Sequence, residues 1–232
     1  MYRPIKFMRQ TEMQFRTWGG KRDGAGRKPR FPNARPHVPH RARGAHKSAH
    51  PVHVTLRARA GLPPFRERGI FVELREAIRR ASRSPAVGDA FRVVQFSVQR
   101  DHVHLIVEAR DRDVLSRGVR GLAIRLARAV NRALAVRGNV WSDRFHAREL
   151  TSPRAVRNAI VYVLMNARKH GTRIASGIDA YSSAPWFDGF AARVDATPVD
   201  SQPVFAPRTW LAGVGWRRRG LVRFDERPRA PA

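Results

Sequence analysis

The chain has 232 residues, enough for one domain of ordinary size with tails. It carries 46 lysines and arginines against 18 acidic residues, a formal net charge of +28 at pH 7, and no cysteine. This excludes disulfides, thiolate metal sites and cysteine nucleophiles, and it points to a polyanionic partner, above all nucleic acid. No apolar run reaches the length of a signal peptide or a membrane span, so a cytoplasmic, nucleoid-associated protein with no membrane partner is expected.

Residues 1–50 are rich in Arg, Gly, Pro and His, with Glu12 and Asp23 as the only acids. No helical or strand period survives there, and a disordered basic arm is expected. Within it Gly26-Arg27-Lys28-Pro29-Arg30 resembles the core of minor-groove AT-hooks with Lys28 interposed. That makes Arg27 and Arg30 candidate DNA contacts, beside the plainer reading of a solvated charged tail.

The folded region is expected over 51–171. Pro51 to Arg57 alternates, with Val52, Val54 and Leu56 on one face and His53, Thr55 and Arg57 on the other. After a turn at Gly61 to Pro64, apolar residues at Ile70, Leu74, Ile78 and Ala81 predict a helix from about Phe65 to Ser82. Ser84-Pro85 and Gly88 break it. Phe91 to Val98 and Asp101 to Glu108 form a predicted β-hairpin through Gln99-Arg100-Asp101. Asp111 or Asp113 caps the next helix, which runs to about Val136 with Val119, Leu122, Leu126 and Val130 inward. Its other face carries Arg117, Arg120, Arg125, Arg128 and Arg132. Arg144 to Leu150 is a fourth strand. Ser152 caps a last helix with Pro153 at its first position, and this helix ends before Gly171. The order β-α-β-β-α-β-α predicts an α+β fold of ferredoxin-like type, a four-stranded antiparallel sheet with helices on one face and one helix left over. Residues 172–232 read as an irregular aromatic and basic tail, which either packs back on the core or contacts a nucleic-acid hairpin.

Two stretches carry chemistry. Side chains two apart on a strand share a face, so His102 and His104 stand side by side while Val103, Leu105 and Val107 point to the core. Paired imidazoles make a platform for a divalent metal, and two surface histidines beside a turn are the plainer reading. On the last helix, at 100° per residue, Val156, Ile160, Val163 and Ala167 form the core stripe, and Asn158, Tyr162, Asn166 and Lys169 form a polar ridge opposite. The ridge offers a phenol nucleophile, an amide and a cation for phosphate.

Together, His102-Val103-His104 on a hairpin strand, Tyr162 on a later helix and Asn166 one turn beyond resemble the HUH endonucleases, specifically the single-tyrosine transposases. The segments Arg100 to Glu108, Val140 to Arg148 and Tyr162 to Arg168 are most similar to the REP-associated tyrosine transposases of bacteria. The chain departs from many relatives in having Ala167, not proline, after Asn166. The resemblance implies Mg2+ or Mn2+ held by His102, His104 and Asn166, and attack of Tyr162 on single-stranded or hairpin DNA to give a 5′-phosphotyrosine. It also implies DNA contacts by Lys169, Arg144, Arg148, Arg168 and His146. Relatives occur as monomers and as dimers, so a homodimer stays open. His53 is expected either beside the metal ligands or as a surface histidine, and Trp141 in the core. The competing reading is a non-catalytic DNA- or RNA-binding protein. Convergence of both histidines and the tyrosine on one exposed spot separates the two.

Overall fold

Alternating apolar positions produce four strands in the computed structural model, which describes residues 44–82, 90–169, 178–192 and 202–228. All of these lie in one unit, 37–232. The strands are β1 (Val52–Arg57), β2 (Phe91–Val98), β3 (His102–Ala109) and β4 (His146–Glu149). They pair antiparallel in the order β2-β3-β1-β4, the ferredoxin-like arrangement. The helices are α1 (Arg68–Ser82), α2 (Arg112–Ala133), α3 (Pro153–Leu164), α4 (Asn166–Lys169) and α5 (Trp210–Gly213).

One face of the sheet is apolar along β1, β2 and β3. Val52, Val54, Leu56, Phe96, Val98, Val103, Leu105 and Val107 are buried there with Ile70, Leu74, Ile78, Val119, Leu122 and Leu126 of α1 and α2. The expected inward set is therefore the observed one, and His102 and His104 face away from it. Trp141 packs against this core and donates its indole N–H to the Ala123 carbonyl (2.9 Å).

The opposite face is covered by α3 and by the C-terminal tail. Val94 and Ile106 of the sheet are buried with Val156, Ile160, Val163 and Leu164 of α3 and with Phe187, Phe190, Leu211 and Trp216 of the tail. The tail thus packs back as a second layer. Polar clasps help to hold it. Arg66 grips the buried Asp179 with two hydrogen bonds (2.7 and 2.9 Å). Arg157 of α3 does the same to Glu226 (2.6 and 2.9 Å). Glu108 of β3 accepts from the Arg208 and Thr209 amides (2.8 and 2.9 Å) and from the Thr209 hydroxyl (2.8 Å).

Several boundaries differ from expectation. Helix α1 starts at Arg68, not Phe65, and the Phe65 amide donates to the Arg100 carbonyl (2.8 Å). Strand β4 starts at His146, since the Arg144 amide turns to the Asp143 side chain (2.7 Å). Asp111 is the cap of α2, accepting from the Val114 amide (2.8 Å). Most of the expected arm, 1–43 with Arg27 and Arg30, lies outside the described residues. Its last part, 44–50, is anchored: His46 Nδ1 lies 2.6 Å from the Glu149 carboxylate and its Nε2 lies 2.9 Å from the Ala109 carbonyl. The folded region therefore begins before Pro51.

Candidate active site

The second face changes character along β3. His102 and His104 come first, then Ile106 in the second core, then Glu108 under the tail. Cross-strand register adds neighbours, because residues directly opposite on antiparallel strands share a face. Thr55 lies opposite both His104 and His146, His53 opposite Ile106 and Arg148, and Arg57 opposite His102. His53, Thr55, His102, His104, His146 and Arg148 therefore belong to one polar half-face, next to an apolar half that α3 and the tail cover.

Helix α3 sets Tyr162 onto this half-face. Ser152 caps the helix with its hydroxyl on the Ala155 amide, and Pro153 opens it. Burial of Val156, Ile160 and Val163 fixes its rotation. The half-buried Tyr162 ring then lies edge-on to His104, with centroids 5.1 Å apart, and to His53, 5.6 Å apart. His102 lies 4.6 Å from His104, and His53 lies 5.2 Å from it. Four rings from three elements thus converge on one spot, with His102 and Tyr162 on the same side of the sheet.

Each of the paired histidines is oriented through Nδ1. His102 Nδ1 meets Asp101 Oδ1 at 2.7 Å. Burial alone would raise the Asp101 carboxyl, but the bond from His102 and the charges of His102 and Arg57 outweigh it and hold the pKa below its usual value. His104 Nδ1 lies 3.1 Å from the Thr55 hydroxyl and 3.2 Å from His53 Nε2. Burial, reinforced by the charge of Arg148, pushes His53 down from 6.5 to about 4, so this imidazole is neutral at pH 7.

The helix that carries the tyrosine is shorter than expected, and this alters the ridge. It ends at Leu164, Met165 leaves helical geometry, and Asn166 opens α4. Asn158 is exposed, Tyr162 half-buried and Asn166 fully buried, so they do not form one exposed ridge. Both amide atoms of Asn166 are buried and make no hydrogen bond among the described residues. An amide left in this state costs free energy, and it has room to bond a water or a ligand. No three His, Asp or Glu side chains are grouped to hold a metal among the described residues. Two imidazoles and one amide oxygen are donor types that suit a divalent ion, and each imidazole is oriented through its Nδ1 atom. The residues present fit a divalent ion.

The remaining expected contacts divide. His146 and Arg148 are exposed on the polar half-face, and Arg144 is exposed just before β4. Arg168 is half-buried in α4, and the Lys169 side chain lies outside the described residues. Sequence reasoning underrated Thr55 and Asp101. The alternation of β1 already placed Thr55 beside His53, but only the strand register brings it to His104.

Among solved structures the chain is similar to a REP-associated tyrosine transposase bound to a REP hairpin, with 20% identity and a TM-score of 0.50, covering 63% of this chain and 82% of that one. That likeness is one of fold. Residues 52–163 match the family described as Transposase IS200 like. Over that segment, just under half of the chain, the protein is similar to the IS200-like transposases. No curated protein matches the chain.

Proposed function

We propose that the protein cuts and rejoins single-stranded, hairpin-bearing DNA through a covalent bond to Tyr162. The observation that carries this reading is the ring cluster, in which Tyr162 packs edge-on to His104, with His102 4.6 Å from His104 on the same face. The phenolic oxygen of Tyr162 attacks a backbone phosphorus and loses its proton. The bond from phosphorus to the 3′-oxygen breaks, and that oxygen takes up a proton. The products are a 5′-phosphotyrosine and a free 3′-hydroxyl, and the reverse attack rejoins strands.

A phenol with a pKa of about 10 is mostly protonated at neutral pH and needs activation. His102, His104 and the Asn166 amide would hold Mg2+ or Mn2+, which supplies Lewis-acid polarisation of the scissile phosphate. Imidazole donors favour Mn2+ of the two. His146, Arg148 and Arg144 line the exposed side, where they would hold backbone phosphates. The hairpin seen with the related transposase and the net charge of +28 support a folded single strand as substrate.

The test is incubation of the full chain with hairpin DNA and Mn2+, followed by a denaturing gel. Wild type should give a covalent adduct, and EDTA should abolish it. Tyr162→Phe should give none while binding DNA normally. An adduct that survives EDTA or the loss of the hydroxyl would replace this reading with a non-catalytic DNA-binding role.

A further inference from the structure

Three polar atoms meet at one point on the polar half-face. His104 Nδ1 lies 3.2 Å from His53 Nε2 and 3.1 Å from Thr55 Oγ1. Two ring nitrogens at this separation share a single proton, and which ring owns it decides what His104 can do. If His53 owned it, both His53 N–H and the Thr55 hydroxyl would compete for the one lone pair on His104 Nδ1. The His104 proton would then sit on Nε2 and block that atom as a ligand. If His104 owns it, a single N–H faces two acceptors, His53 Nε2 and Thr55 Oγ1, and no two donors compete for one lone pair.

His102 solves the same problem by other means. Its Nδ1 faces a carboxylate, Asp101 Oδ1 at 2.7 Å, which only accepts. Ligating histidines commonly have their far nitrogen tied to such an acceptor, which fixes ring orientation and tautomer. At His104 Nδ1 two neutral side chains of β1, His53 and Thr55, stand at hydrogen-bonding distance.

We infer that His53 and Thr55 are a tautomer lock, positioning residues that keep the proton of His104 on Nδ1 and leave its Nε2 bare to bind a divalent cation. The inference rests on the metal-assisted reading above. It adds that β1, which supplies no ligand itself, sets the competence of one.

The first measurement needs no metal and no DNA. Long-range 1H–15N correlation on full-length protein labelled with 15N-histidine reports which ring nitrogen is protonated, and His104→Gln assigns the resonances. His104 should show a protonated Nδ1 and a bare Nε2, and His53 a bare Nε2. A protonated His104 Nε2 overturns the lock. The second measurement is Mn2+ affinity by the electron paramagnetic resonance of free Mn2+. His53→Ala and the near-isosteric Thr55→Val should each weaken binding about tenfold. His53→Gln, which keeps an acceptor near the Nε2 position, should recover most of the loss. Thermal melts identify any variant that fails to fold, and Thr55→Val stands in if His53→Ala does. If His104→Ala loses Mn2+ while His53→Ala and Thr55→Val bind as wild type, the lock is wrong and the metal reading stands. If wild type itself binds no Mn2+, the metal reading falls, and the lock's ligand role with it.

Discussion

The two faces of the sheet solve different problems with the same strands. The face under α1 and α2 is apolar along β1, β2 and β3, and the residues of these strands that point into it are buried. The other face is divided. Around β2 and the far end of β3 it is a second core, closed by α3 and by a tail centred on Trp216, which is 1% exposed and stacks on Phe187. Around β1, β4 and the start of β3 it is polar, and there the histidines meet Tyr162. Apolar packing on one half of that face fixes α3 so that one of its side chains stands over the other half. The tail is therefore part of the scaffold of the site, not an appendage to it.

The largest test of this comparison is core truncation on each face. Leu122→Ala beneath the first face should cost about 2–5 kcal/mol and Trp216→Ala on the second about 3–5 kcal/mol. Both are read by chemical denaturation. A cost for Trp216→Ala of a few tenths of a kcal/mol would make the tail a loosely docked segment. Overpacking gives the next effect. A methyl on Gly118 would meet the Phe91 ring at 2.4 Å, and one on Gly189 would meet Phe187 and Trp216 at the same distance. Gly118→Ala and Gly189→Ala should each cost about 1–3 kcal/mol, and Gly189→Ala should also lower adduct yield by shifting the layer that seats α3. Equal activity with both variants would separate the tail from the site.

The polar half should respond with the opposite sign. Asn166 is fully buried with its amide unbonded, so Asn166→Leu, of similar shape, should raise stability by about 1 kcal/mol while lowering adduct formation. Loss of stability instead would mean the amide serves the fold. The smallest effect is at the sheet end that anchors residues 44–50. Burial tends to raise the Glu149 carboxyl, but hydrogen bonds from His46, His50 and the Lys47 amide prevail and hold its pKa below the usual 4.5. A carboxyl depressed in the folded state stabilises it fully above its unfolded pKa, and that contribution fades as pH falls through the folded value. Glu149→Gln should therefore be less stable than wild type at pH 6, and the gap should narrow below pH 4.5. A gap constant with pH would remove the ionised carboxylate from the clasp.

Much of the first face was legible in the sequence, because a strict period of two at Val52, Val54 and Leu56 or Val103, Leu105 and Val107 leaves one choice of inward side. The site was legible in its parts for the same reason: His102 and His104 had to face away from that core. What periodicity could not show was contact between distant segments. The meeting of Thr55 with His104 depends on strand register, and the docking of the tail depends on single residues such as Asp179 and Glu108 finding Arg66 and Thr209. The break at Met165 was also hidden. Its flanks keep helical spacing, so a straight helix carried Asn166 outward on paper while the chain turns it into the interior.

The central claim is that Tyr162, and no other group, takes up the DNA strand. The adduct formed with hairpin DNA and Mn2+ can be digested with nuclease and protease and its peptide sequenced by mass spectrometry. The expected product is a nucleotide joined through its 5′-phosphate to the Tyr162 oxygen, with no such peptide from Tyr162→Phe. A phosphate on Tyr181 or on a serine, or cleavage of the strand with no protein attached, would contradict it.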